Sequence, residues 1–305
     1  MMSSRNLSFV AVASTLMASL VAIQASAAPI ALPSAAEVNL KFQAYTAQDT
    51  GVTFGNSNGF ETTYGAGYLT QITDANSPAI SYWTSGQNNQ TVSFMIYGIA
   101  DQQSTGIAPS FHLDNVGCTA GAGNGGSLGG CDGSIHIDFY LNTGGTNPGF
   151  TGTGNVVTTA DRCGIGCLTG ITTQGTPLMK WVLTPGADPT DSTATLMQDG
   201  LSSLSFPITS DGSGSFLANC VSGPECALFA NAAIADPLTG ILANFFGKYT
   251  LQPAPTNSNG WEGLIEDPVL SAVTANVPEP GSLVLVGTGL LGLFGLGLRA
   301  RRKRP

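Results

Sequence analysis

Positive charge is nearly missing from the body of this chain. Of its ten Lys and Arg residues, Arg299, Arg301, Arg302, Lys303 and Arg304 crowd the C-terminus and Arg5 lies near the start. Across 28–280, only Lys41, Arg162, Lys180 and Lys248 stand against all nineteen acidic residues, a formal net charge of −15. Phosphate backbones and anionic lipid surfaces are held by Lys and Arg, so nucleic acid is excluded as a partner of this body. Cations and neutral polysaccharide stay open. Histidine is scarce too, with His112 and His136 alone. No cysteine stands by itself, which removes a lone reactive thiol, and no motif singles out a pair among the many carboxylates for glycoside hydrolysis. No residue stands out as catalytic. Long helical periodicity and internal repeats are absent before the last apolar run.

What is present is alternation. Val38, Leu40, Phe42 and Ala44 alternate with Asn39, Lys41 and Gln43, and Ile135, Ile137, Phe139 and Leu141 alternate with His136, Asp138 and Tyr140. The run 92–97 has one apolar face, and further strands are predicted over 64–73, 178–184, 203–209, 213–217, 249–252 and 261–265. Clusters of Asn, Gly, Asp and Pro separate them, as turns require. Short helices are predicted over 226–235 and 238–245. About 250 residues suffice for a real core. The fold class expected is mainly β: an antiparallel, sandwich-like ectodomain over 28–270, then a spacer over 271–276 and a single C-terminal transmembrane helix.

The six cysteines form three close pairs: Cys118 with Cys131, Cys163 with Cys167, and Cys220 with Cys226. An even count in an exported chain reads as disulfides, and neighbour pairing is the expectation among fifteen connectivities. His112-Leu113-Asp114 and His136-Ile137-Asp138 flank the first pair. If that bridge closes a hairpin, the strands carrying His112, Asp114, His136 and Asp138 lie side by side. Whether all four share a face, as a weak candidate metal site, then depends on register. No cofactor is demanded by the pattern. Calcium is the one ion invited by the acidic stretch Asp188, Asp191, Asp199 and Asp211, although it lacks the spacing of an EF-hand loop. Trp83, Trp181 and Trp261 read first as core anchors and second as sugar-stacking platforms.

Both ends carry addresses. Arg5 and an apolar run over 7–23 precede Ala25-Ser26-Ala27, so residues 1–27 read as a signal peptide. Signal peptidase would cut after Ala27 and leave Ala28 as the new N-terminus. At the other end, Val277-Pro278-Glu279-Pro280 precedes an uncharged apolar run over 282–298, followed by Arg299, Arg301, Arg302, Lys303 and Arg304. At about 1.5 Å per residue that run is just long enough to cross a hydrocarbon core, and the basic cluster stays on the cytoplasmic side. The two prolines hold the tripeptide ahead of it extended.

This three-part tail over 277–305 resembles the PEP-CTERM sorting signal of exported bacterial proteins. The resemblance implies processing by exosortase, an integral-membrane transpeptidase, and a Gram-negative host that makes exopolysaccharide. It implies transient membrane attachment and delivery through the inner membrane to the envelope, surface or extracellular matrix. The expected function is a non-enzymatic surface or matrix protein, with exopolysaccharide an open partner and biofilm or floc cohesion its setting. The alternative is a secreted glycoside or metal-dependent hydrolase that carries the same tail.

Overall fold

The computed structural model describes residues 30–48, 59–107, 110–119, 131–144, 175–201, 211–229, 233–254, 261 and 263–274. The chain divides into the compact unit Pro29–Val277 and a second unit formed by Met1–Ala28 with Pro278–Pro305, all of which lies outside the described residues. The signal peptide with Ala25, Ala27 and Ala28, the pair Cys163 and Cys167, and the tail with Val277, Pro278, Glu279, Pro280 and Arg299–Arg304 therefore lie outside them as well. Among the described residues no helix is long and apolar enough to cross a membrane.

Thirteen strands are described. They are β1 (Glu37–Gln48), β2 (Thr63–Asp74), β3 (Ser81–Thr84), β4 (Thr91–Ile107), β5 (Ser110–Gly117), β6 (His136–Asn142) and β7 (Thr176–Thr184). β8 (Leu196–Leu201), β9 (Gly212–Ser222), β10 (Ile234–Ala235), β11 (Leu242–Ala243), β12 (Phe245–Pro253) and β13 (Gly263–Val273) follow. The alternating segments all become strands because each apolar set faces one side of a pleat. The predicted strand over 203–209 lies outside the described residues.

The sheet is antiparallel and it closes. Its order is β3-β2-β1-β13-β12-β9-β7-β6-β4-β5-β8, and the further pairings β2–β4 and β9–β8 close it on itself. Following β2-β1-β13-β12-β9-β7-β6-β4 and back to β2 gives a ring of eight strands. A second route, through β8 and β5 instead of β7 and β6, also counts eight. Two long strands allow this. β4 pairs with β6 through Thr91–Tyr97 and with β5 through Ile99–Ile107. β9 pairs with β8 near its start and with β7 near its end. The ectodomain is therefore a closed barrel rather than the expected sandwich. Alternation is the same in both architectures, and closure is decided by partners remote in sequence, such as Glu37 with Val273.

Eight strands enclose a bore that side chains can fill. Phe42, Phe94, Phe139, Trp181 and Phe245 form a continuous aromatic file through it, with centroid spacings of 5.4, 5.1, 4.5 and 3.8 Å along the series. A cavity among the described residues, lined by Phe94, Ile96, Phe216 and Tyr249 among others, is about 40 Å³, on the scale of water rather than of an organic ligand. A smaller cluster of Tyr64, Met95, Tyr97, Tyr140 and Trp261 packs on the other face of the same strands. Trp83, Trp181 and Trp261 are all buried, so they anchor packing and offer no open stacking surface.

Cys118–Cys131 and Cys220–Cys226 are bridged as expected, with Cα separations of 4.8 and 5.4 Å. The two short helices are not formed. A 3-10 turn, Pro224–Leu228, and the β10–β11 ladder stand in their place. Gly223 at φ 115 and Pro224 set that tight turn where helical spacing of Ala and Leu suggested a longer element. The barrel also reaches past residue 270. Ser271–Val273 continue β13 instead of a spacer, and Thr274 exchanges hydrogen bonds with Ala36, its Oγ1 also donating to the carbonyl of Pro33 at 2.5 Å.

Candidate functional site

The strongest constellation of chemistry-bearing side chains grows from β5. His112 and Asp114 are two residues apart on one strand, so they share a face. The neighbouring strand brings Asp199. Phe111 pairs with Leu201 and Leu113 with Gln198, which leaves Asp199 and Gly200 together opposite His112. This two-against-one bulge, with Gly200 at φ 75, turns the Asp199 carboxylate toward the imidazole. A third carboxylate, Asp188, comes from the loop between β7 and β8. That loop is folded on itself by the N–H groups of Gly186 and Ala187, both donating to the carbonyl of Ala194, at 2.7 and 2.9 Å. The N–H of Thr195 ties it to β5 through the carbonyl of Asn115, at 2.8 Å.

The resulting distances are short. His112 Nε2 lies 3.0 Å from Asp114 Oδ1 and 2.8 Å from Asp188 Oδ2, and His112 Nδ1 lies 2.6 Å from Asp199 Oδ1. Asp114 and Asp188 are 3% and 4% exposed, whereas the Asp199 side chain is 51% exposed. Each group's acidity follows its surroundings. Burial acts to lower the pKa of His112, but the hydrogen bond it donates to Asp199 and the charges of Asp114, Asp199 and Asp188 outweigh it and raise the value. Burial raises Asp114 above the usual carboxylate range, only partly offset by His112. Burial also acts to raise Asp188, yet the N–H and hydroxyl that Thr190 donates, together with His112, bring it below that range. Asp191 is lowered by the hydroxyl and N–H of Thr193.

The two His-x-Asp elements do not meet. β5 and β6 do not pair with each other; they follow one another along the same edge of β4, where Thr105 faces His112 and Tyr97 faces His136. Eight residues of strand put them roughly 25 Å apart. The hairpin expected around Cys118–Cys131 is therefore corrected. β5 turns back on β4, and the bridged loop passes on to β6. His136 stacks on Tyr97 at 5.0 Å and bonds Asp132 at 3.0 Å. Asp138 has its own partners. Its Oδ2 receives Lys180 Nζ at 3.0 Å and the hydroxyl of Tyr97 at 3.2 Å, while its buried Oδ1 has no hydrogen-bond partner among the described residues. Burial, with Asp138 nearby, raises Tyr97 far above an ordinary phenol and pushes Tyr140 up to about 12.

Of the four residues expected to group, His112 and Asp114 stay together, and His136 and Asp138 belong elsewhere. Asp188 and Asp199, read in sequence only as an acidic stretch, are the partners that complete the group; Asp211 and Asp191 do not bond to the imidazole. Two Gly-x-Ser-x-Gly strings occur, at 55–59 and 125–129. A nucleophile elbow requires a strand–turn–helix context. The described element that follows each string is a strand, β2 or β6, so neither has that context.

Comparison with known proteins bears on the C-terminus. Residues 276–303 match the family model of the PEP-CTERM protein-sorting motif. No curated protein and no solved structure matches the chain. The chain thus carries a PEP-CTERM signal, which marks it for export, for processing by the membrane transpeptidase exosortase, and for sorting to the envelope or surface.

Proposed function

We propose that this exosortase-sorted chain is a surface or extracellular-matrix protein of a Gram-negative bacterium, associated with exopolysaccharide and acting by contact rather than turnover. The sorting motif carries this reading. It begins at residue 276, three residues after β13 ends at Val273, so the address is attached almost directly to the barrel. An acidic, hydroxyl-rich and amide-rich body suits weak hydrogen bonding to neutral polymer, and many copies on one surface multiply weak affinity without a deep pocket. Envelope sorting and biofilm or floc cohesion fit that mode of action.

A secreted hydrolase with the same tail is the competing reading, and the His112–Asp114–Asp188–Asp199 group favours it. The two are separated by one paired experiment on the exported protein. Pull-down on exopolysaccharide from producing cells is expected to retain it, and a reducing-sugar assay on the same polymers is expected to show no release. Turnover that disappears in Asp114→Asn would contradict the contact reading in favour of the enzyme.

A further inference from the structure

His112 Nε2, Asp114 Oδ1 and Asp188 Oδ2 lie within 4.8 Å of one another. At most one hydrogen is available to them while both carboxylates are ionised. With Nδ1–H directed at Asp199, Nε2 faces two carboxylate oxygens. Nε2 lies 3.0 and 2.8 Å from the two oxygens, so a proton or a metal ion must sit between them, and a metal ion can serve both carboxylates at once. Edges of 2.8 and 3.0 Å are those of ligands about 90° apart around an ion with bonds of about 2.0–2.2 Å.

Burial makes an independent demand. Asp114 and Asp188 are both more than nine-tenths buried, and among the described residues their ion-pair partner is His112 alone. Two carboxylates out of water against one imidazole leave uncompensated negative charge in a place where such charge is costly. No Lys or Arg of the described residues is paired there; the one Lys ion pair, Lys180, serves Asp138.

We propose that His112, Asp114 and Asp188 bind a divalent transition-metal ion of the zinc or manganese class, with Asp199 holding the imidazole by its other nitrogen. A carboxylate on the far ring nitrogen is the usual support of a metal-bound histidine, because it fixes the tautomer and the ring plane. The donor set selects the ion. Calcium and magnesium prefer shells of oxygen, whereas an imidazole nitrogen among carboxylates suits zinc, manganese and their neighbours. The ion would pin the β7–β8 loop to β5. This reading is independent of polymer contact, and either can fail alone.

The test uses the full chain with its disulfides intact, stripped with chelator and then titrated with Zn²⁺, Mn²⁺ or Ca²⁺ by calorimetry and native mass spectrometry. One equivalent of Zn²⁺ or Mn²⁺ is expected, with a rise in Tm. Asp188→Asn should lower the affinity at least about 100-fold. Asp199→Ala, at a half-exposed position that the fold tolerates, should lower it about 10- to 100-fold. His136→Gln should leave it unchanged. No stoichiometric ion in the parent would overturn the proposal, as would binding of Ca²⁺ alone. So would parental affinity in Asp199→Ala, or binding lost in His136→Gln.

Discussion

Glu225 is a carboxylic acid placed where a charge is poorly tolerated. It is 2% exposed, and its Oε1 accepts the N–H of Ile30 at 2.9 Å. Burial pushes its pKa up to about 7 in spite of that hydrogen bond. A folded pKa above the unfolded one favours folding most below the unfolded value, near 4.5, and the benefit is lost as pH rises to and through 7. Unfolding free energy should therefore fall by up to about 3 kcal/mol across that window. Glu225→Gln keeps the acceptor and removes the charge. Denaturant titrations at several pH values should show its slope flattened and its stability above the parent's at pH 8. A slope unchanged in the variant would refute this assignment. Nothing local in the sequence marks Glu225, because its burial depends on Ile30, far away in the chain.

At the scale of elements, closure of the barrel rests on the approach of β1, β2 and β4. Gly67 pairs with Ala44 on one side and Phe94 on the other. A Cβ there would lie 2.3 Å from Phe94 Cζ and 2.4 Å from the carbonyl oxygen of Gln43. The backbone contact cannot swing away, so Gly67→Ala should cost about 1–3 kcal/mol by overpacking, read as a lower denaturation midpoint with an unchanged m-value. Stability equal to the parent's would mean that β2 and β4 do not meet at this seam. The bridges act on elements as well. Cys118–Cys131 spans 13 residues, so replacing both cysteines by Ser should cost about 3 kcal/mol by loop entropy. Most strands were legible from sequence, since β1, β4 and β6 each repeat apolar residues at period two. Their partners were not. His112 needs a bulge at Gly200 and a loop that folds back from Asp188, and neither leaves a local pattern at His112.

For the whole molecule, the body and its address are different segments of the sequence. The described barrel ends in β13 at Val273, and the sorting motif over 276–303 follows in sequence. The tail was readable because a sorting signal must be recognised as a short linear segment, with extended prolines, an apolar run and a basic end in fixed order. The barrel was readable only as β, because closure is a property of the assembled ring. Delivery by exosortase should leave the chain at work as a freed ectodomain. Intact-mass and terminal-peptide mass spectrometry of the protein from the envelope fraction tests it most directly. A mature species that begins near Ala28 and ends close to Pro280 is expected. Recovery of the bulk protein with 299–305 still attached would contradict it.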